Sequence, residues 1–218
     1  EMCIRDRLPL EYSRDSLLKP KKFTHYSMGL YVLFFGSKKK FSDVAHHTIW
    51  MSERYKELLH DIFEKKILTE DFSLYLHRPT ATDDTFAPEG CDSFYVLCPV
   101  PNLQGNVQWN SEGPKLKDRI VEALDKTIMP GLKENIEAEF WMTPEDFKND
   151  YRSKYGAGFS VAPIFSQSAW FRYHNKDKKI PNLYFSAAGS HPGAGIPGVL
   201  CSAKVIEKLI IKDFKVSH

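Results

Sequence analysis

Residues 189–198 read Gly189-Ser190-His191-Pro192-Gly193-Ala194-Gly195-Ile196-Pro197-Gly198, with four glycines in ten positions. An apolar run, Asn182 to Ala188, precedes them, and a helical pattern from Val199 to Lys212 follows. The order predicts a strand, a glycine-rich turn and a helix. Glycines without Cβ let backbone N–H groups approach a ligand closely. The first turn of a helix adds unpaired donors and the positive end of its dipole, which together suit phosphate or another anionic group. Pro197 is placed where a missing N–H costs nothing. The stretch formally matches G-x-G-x-x-G, yet that fingerprint opens a βαβ unit, and the 20 residues after Gly198 read as one helix. A plain tight strand-to-helix connection is the alternative reading.

The rest of the chain predicts strands with few helices between them. The segment Tyr26 to Gly36 is apolar on both faces and reads as a buried strand. His46 to Trp50, Phe72 to Leu76, Phe94 to Pro101 and Glu137 to Met142 read as further strands. Ser52 is expected to cap a helix whose stripe is Tyr55, Leu58, Leu59, Ile62 and Phe63. That stripe suits packing on the sheet, one wall of a substrate tunnel, or a membrane surface. Pro114 to Leu132 predicts an amphipathic helix, and Thr143-Pro144-Glu145-Asp146 opens another. Together these predict an α/β (α+β) chain with a mixed or antiparallel sheet.

Composition narrows the function classes. A chain of 218 residues with 42% apolar and 27% charged residues is globular, and a net charge of +2 gives no reason to expect nucleic acid. Cys3, Cys91, Cys98 and Cys201 form no C-x-x-C pair, which fits a reduced cytoplasmic compartment. Cys201, inside the last helix, reads as a small buried hydrophobe, and no G-x-S-x-G elbow is present. Lys38-Lys39-Lys40 reads as a solvated turn or as a contact with anionic lipid. Neighbours on a strand point to opposite faces, so His46 and His47 are not expected to share an ion, and no metal site is expected.

The motifs Asn182-Leu183-Tyr184 and Gly189 to Gly198, with Gln167-Ser168-Ala169-Trp170-Phe171-Arg172, Leu76-His77-Arg78-Pro79-Thr80 and His46-His47-Thr48-Ile49-Trp50, resemble the bacterial-type phytoene desaturases. These are FAD-dependent carotenoid desaturases with isomerase relatives. The resemblance runs from about Tyr26 to Leu209 and suggests the carboxy-terminal half of such an enzyme, lacking its amino-terminal FAD-binding βαβ. It implies part of an amine oxidase-like flavoprotein fold, with residues 1–25 a poorly placed or artefactual start, 26–158 a substrate-binding domain and 159–218 the return to the FAD domain. It implies FAD held by Gly189, Ser190, His191, Gly193, Gly195, Ile196, Pro197, Gly198 and Val199, with the amides of Ile196, Gly198 and Val199 as donors. His191 and His77 are candidate proton acceptors, although His191 could simply shape the turn. Arg172 could pair with an FAD phosphate or with a surface carboxylate, and Trp170 and Phe171 could wall the polyene site or fill a core. The implied substrate is phytoene or a related carotene, the acceptor a quinone or oxygen, and the place a peripheral one on the cytoplasmic membrane. A carotene isomerase and a non-catalytic polyene-binding module are the alternatives.

Overall fold

Alternation along the strands builds the sheet. The computed structural model describes residues 24–178 and 180–214, so the expectation for residues 1–23 lies outside the described range. Five strands, β1 (Gly29–Ser37), β2 (His47–Trp50), β3 (Leu74–His77), β4 (Asp92–Val100) and β5 (Ile136–Met142), pair in the order β2-β3-β4-β1-β5. Every pairing is antiparallel. Tyr31, Leu33 and Phe35 of β1, Leu74 and Leu76 of β3, and Phe94, Val96 and Cys98 of β4 point to one face and are buried. Residues between them point to the other face, as a two-residue period requires.

Helices cover the first face. α1 (Tyr55–His60) runs on into a wider turn at Asp61–Lys65, and α2 (Trp109–Lys126) lays Leu116, Ile120 and Leu124 on the sheet, all at 0% exposure. α2 starts at Trp109 rather than at Pro114. Trp109 is buried, and the Tyr31 hydroxyl donates to the Gly113 carbonyl at 2.9 Å, so tertiary contacts hold the turn ahead of the proline. Burial also pushes the Tyr31 hydroxyl pKa up. A short α3 (Leu132–Asn135) leads into β5. α4 (Pro144–Asn149) carries the expected cap: Glu145 N–H donates to Thr143 Oγ1, and Thr143 N–H donates to Asp146.

Three local expectations give way. Ser52 does not cap α1; its hydroxyl donates to Asp71 and accepts from Arg54 N–H, while Arg54 stands at the helix start. In the stripe, Leu58 and Ile62 are buried, whereas Tyr55 and Phe63 are exposed, because the wider turn rotates Phe63 away from the sheet. Residues 182–188 form no extended strand; among the described residues they meet a neighbour at one bridge, Tyr184 with Lys176. An apolar run becomes a strand only beside a free edge.

A buried ion pair locks β3 to β4. Arg78 Nε meets Asp92 Oδ2 at 3.1 Å, and Asp92 also accepts from Phe41 N–H and the Thr80 hydroxyl. Arg78 reaches the Val44 carbonyl at 3.0 Å, and its own N–H donates to the His46 carbonyl.

α5 (Ile196–Phe214) extends the predicted last helix at both ends. It is largely uncovered: Ser202 is buried, while Ile196 and Leu200 are 79% and 63% exposed. Cys201 is consequently exposed, against the expectation of burial.

Two outcomes follow from these environments. Asp92→Ala leaves the Arg78 guanidinium buried without its carboxylate, and urea unfolding should show a loss of about 3–5 kcal/mol; a loss below about 1 kcal/mol would remove the pair from its structural role. Burial pushes the Cys98 thiol up to about 12, so its thiolate is scarce at pH 8. Iodoacetamide at that pH should label Cys201 and spare Cys98, as read by peptide mass mapping, and labelling in the reverse order would contradict the burial.

Candidate functional site

The uncovered face of the sheet carries one ring from each strand. Register aligns Phe140 of β5 with Phe34 of β1, Phe34 with Tyr95 of β4, Tyr95 with His77 of β3, and His77 with His47 of β2. Successive ring centres lie 4.5, 5.9, 4.8 and 5.1 Å apart. With strands about 4.8 Å apart the row crosses the sheet over about 19 Å. A cavity of about 370 Å³ opens over Phe34, Tyr95, Phe140 and Pro79. Such a surface recognises apolar and π-rich molecules by contact area, since its core offers few polar groups. Burial, helped by Tyr75, pushes the Tyr95 hydroxyl up to about 12 and keeps it neutral.

The histidine end of the row is crowded. His46 Nε2 lies 2.8 Å from His77 Nε2, and the ring of His47 stacks on that of His77. His46 stands just outside β2, so strand alternation does not govern it, and its ring turns to the same side as that of His47, 4.3 Å away between centres. The expectation that the two histidines diverge is thus corrected. Burial first, and then the neighbouring His46 and His47, lower the His77 pKa.

The glycine-rich loop is held by polar anchors. Arg172 is buried and donates to the carbonyls of Phe159, Val161, Gln167 and Ala188. Its guanidinium therefore staples backbone. Gln167 pairs with both backbone groups of His25, and Asn175 donates to the carbonyls of Phe185 and His191. Ser190 is buried, and its hydroxyl bonds the Ala187 carbonyl. Gln167 and Asn175 were not foreseen as anchors, although the Gln167 to Arg172 motif was visible.

At the loop itself, Gly193 and Gly195 take φ of 147° and 89°, which favours glycine. A Cβ on Gly198 would lie 2.7 Å from the Gly193 carbonyl, so the turn closes tightly on itself. Val199 N–H is used by the Gly195 carbonyl. That removes one expected donor and leaves Ile196 and Gly198 as first-turn amides with no such bond among the described residues. His191 donates from Nδ1 to the Ala169 carbonyl at 2.8 Å, which fixes its tautomer and leaves Nε2 as an acceptor. The structure brings Trp170 to His191, with ring centres 6.3 Å apart, whereas Phe171 packs on Phe165. His77 keeps separate company, with Tyr95, His46 and His47.

Comparison with known proteins follows the same lines. No family model matches the chain. A lycopene-forming phytoene desaturase of Pantoea ananas is 47% identical over 206 residues, covering 94% of this chain and 41% of that protein. The lycopene-forming enzyme of Pseudescherichia vulneris is 47% identical over 95% of this chain and 42% of its own length. A neurosporene-forming phytoene desaturase of Rhodobacter capsulatus is 47% identical over 85% of this chain and 36% of its own. A solved oxidoreductase from Methanosarcina mazei overlays with a TM-score of 0.48 at 14% identity, covering 85% of this chain and 35% of that one, a likeness too loose to decide anything. The chain spans about two-fifths of the length of the curated relatives it matches. By sequence, then, the chain belongs with the bacterial-type phytoene desaturases, matching them over that part of their length.

Proposed function

We propose that this chain forms the carotene-facing and flavin-facing part of an FAD-dependent oxidoreductase that introduces conjugated double bonds into phytoene or a related carotene. The observation that carries the reading is the 47% identity to a lycopene-forming phytoene desaturase over 94% of the chain. The geometry agrees with it. A carotene has no polar atom to grip, so a site for it must rely on apolar area and ring contacts, which the row from Phe140 to Tyr95 offers. Trp170 and Phe171, 69% and 52% exposed, would add a second apolar wall beside the loop.

The loop fits one part of a flavin better than another. Positive-φ glycines and the amides of Ile196 and Gly198 present backbone donors, which suit the electron-rich edge of the ring system. Arg172 holds the loop from beneath through the Ala188 and Val161 carbonyls. Ser190, buried and bonded to the Ala187 carbonyl, would shape the turn beneath these groups. A flavin supplies the two-electron acceptor when bound. The residues of this chain would position the polyene and receive the proton. His191 is the better placed acceptor, because Nδ1 is anchored and Nε2 is left to accept, whereas His77 Nε2 is engaged by His46.

The same proposal assigns residues 26–158 to the substrate side and 159–218 to the return towards an amine oxidase-like FAD domain. The two are laced together, since Ser27 N–H donates to the Ser160 carbonyl and Phe159 N–H donates to Ser27 Oγ. The uncovered α5 would dock on that FAD domain. Attachment at the cytoplasmic membrane fits the exposed Ile49, Met51, Tyr55 and Ile67 beside Lys65 and Lys66, and the described residues hold no helix long and apolar enough to cross a membrane. A quinone or oxygen would take the electrons from the flavin.

Replacing the matching part of the Pantoea ananas enzyme with this chain tests the reading. Anaerobic addition of phytoene in liposomes should bleach the flavin and yield a more conjugated polyene. A folded, flavin-loaded chimera that bleaches nothing would overturn it, and rearranged polyene without bleaching would indicate isomerisation. In that chimera His191→Asn keeps a donor for the Ala169 carbonyl but removes Nε2; kcat should fall about 100-fold or more with flavin content unchanged. Tyr95→Ala should instead raise KM for the polyene by about 10-fold, through lost ring contact, with a smaller change in kcat.

A further inference from the structure

The three histidines at the end of the ring row offer one ligand atom each, and these atoms lie within 4.8 Å of one another. They come from two elements. His77 and His47 face each other across the β2–β3 pair, and the Arg78 N–H bond to the His46 carbonyl carries the pairing one residue further. Register therefore fixes the spacing of the backbones, and Arg78, whose side chain also reaches the Val44 carbonyl, holds the two segments together at that end.

The ring nitrogens turned away from the cluster are oriented. The Thr82 hydroxyl donates to the Pro79 carbonyl at 3.3 Å, so it accepts from His46 Nδ1 at 3.0 Å. His46 then keeps its proton on Nδ1 and presents a bare Nε2. His47 Nδ1 meets the Tyr75 hydroxyl at 2.7 Å, which orients the ring with Nε2 as its other nitrogen. An imidazole whose outer nitrogen is hydrogen-bonded and whose inner nitrogen is bare is the usual state of a metal-ligating histidine. His77 Nε2 supplies the hydrogen in the 2.8 Å contact with His46, and His77 Nδ1 is buried with no partner among the described residues.

We infer that His46, His47 and His77 form a binding site for a divalent transition-metal ion such as Zn2+ or Co2+, with solvent in the remaining position. Three neutral imidazoles and no carboxylate select borderline ions over Ca2+ or Mg2+. Metal–nitrogen bonds of about 2.0–2.1 Å place tetrahedral ligand atoms about 3.4 Å apart. The His46–His77 contact must therefore open by about half an ångström while His47 closes in, within the reach of side-chain rotation at a site exposed on the His47 side. The ion takes the place of the hydrogen between His46 and His77, whose proton moves to His77 Nδ1. That nitrogen has no acceptor among the described residues, which limits affinity. The inference stands apart from the desaturase reading, because it concerns ligands that the flavin-facing loop does not use. An ion there would tie the edge strand β2 to β3 and to the turn at Thr82.

Titrating the full chain with Co2+ at pH 7.5, following the visible absorption of the bound ion and its displacement by Zn2+, tests the inference. Saturation at one equivalent is expected, unaffected by excess Mg2+ or Ca2+. His46→Ala and His47→Ala should each weaken binding by at least about 100-fold, and Tyr75→Phe, which removes only an orienting hydroxyl, by about 10-fold. His60→Ala, at an exposed residue outside the cluster, should bind as the parent does. Far-ultraviolet circular dichroism reports whether each variant is folded, and Tyr75→Phe is conservative enough to keep its shape if an alanine variant is not. The inference is overturned by the absence of saturable uptake, by uptake that survives in folded His46→Ala/His47→Ala, or by its loss in His60→Ala.

Discussion

The arrangement of the open face depends on one buried ion pair. Arg78 and Asp92 sit at the ends of two neighbouring strands, and between them they engage the backbone of Phe41, Val44 and His46 and the hydroxyl of Thr80. Two charges out of water cost several kcal/mol unless their remaining hydrogen-bonding capacity is filled, and here it is filled by the chain that must be held. A slip of one residue between β3 and β4 would break this set and turn Tyr95 and His77 to opposite faces. The pair thus acts chiefly on register, and register decides which rings meet.

The two faces of the sheet then divide the work. α2 seals one with Leu116, Ile120 and Leu124, giving an apolar core crossed by the Tyr31-to-Gly113 hydrogen bond, in which Trp109 Nε1 is buried with no partner among the described residues. Among the described residues the ring row on the other face is left open, with Phe140 58% exposed. An aromatic surface of that extent is costly to leave in water and is normally kept for a ligand or a partner. Its position, one residue per strand, gives it a straightness that loops seldom supply.

The carboxy-terminal segment is held by different physics. Few apolar side chains there are buried, and Arg172, Gln167 and Asn175 instead bind backbone carbonyls. Polar anchoring of this kind is directional, so it specifies the shape of a loop more sharply than apolar packing does. The glycine-rich turn can then expose backbone amides without collapsing.

Local chemistry was legible in the chain. β1 and β4, the Thr143 cap, the last helix and the glycine-rich turn are each decided by residues close in sequence, through alternation, capping and freedom of φ. The family resemblance was legible for the same reason, being carried by short contiguous motifs. What lay beyond the sequence depends on distant partners. The run at 182–188 lacks a sheet edge, the first turn of α2 forms because Trp109 and Tyr31 hold it, and His46 joins His47 because it falls just outside the strand. The ring row needs the register of five strands drawn from His47 to Phe140, and Arg172 reveals its role only when four carbonyls converge on it. Sequence alone determined which segments could be strand, turn or helix, since those choices are local. Tertiary structure decided which side chains share a site, since register and buried polar pairing are properties of segments in contact.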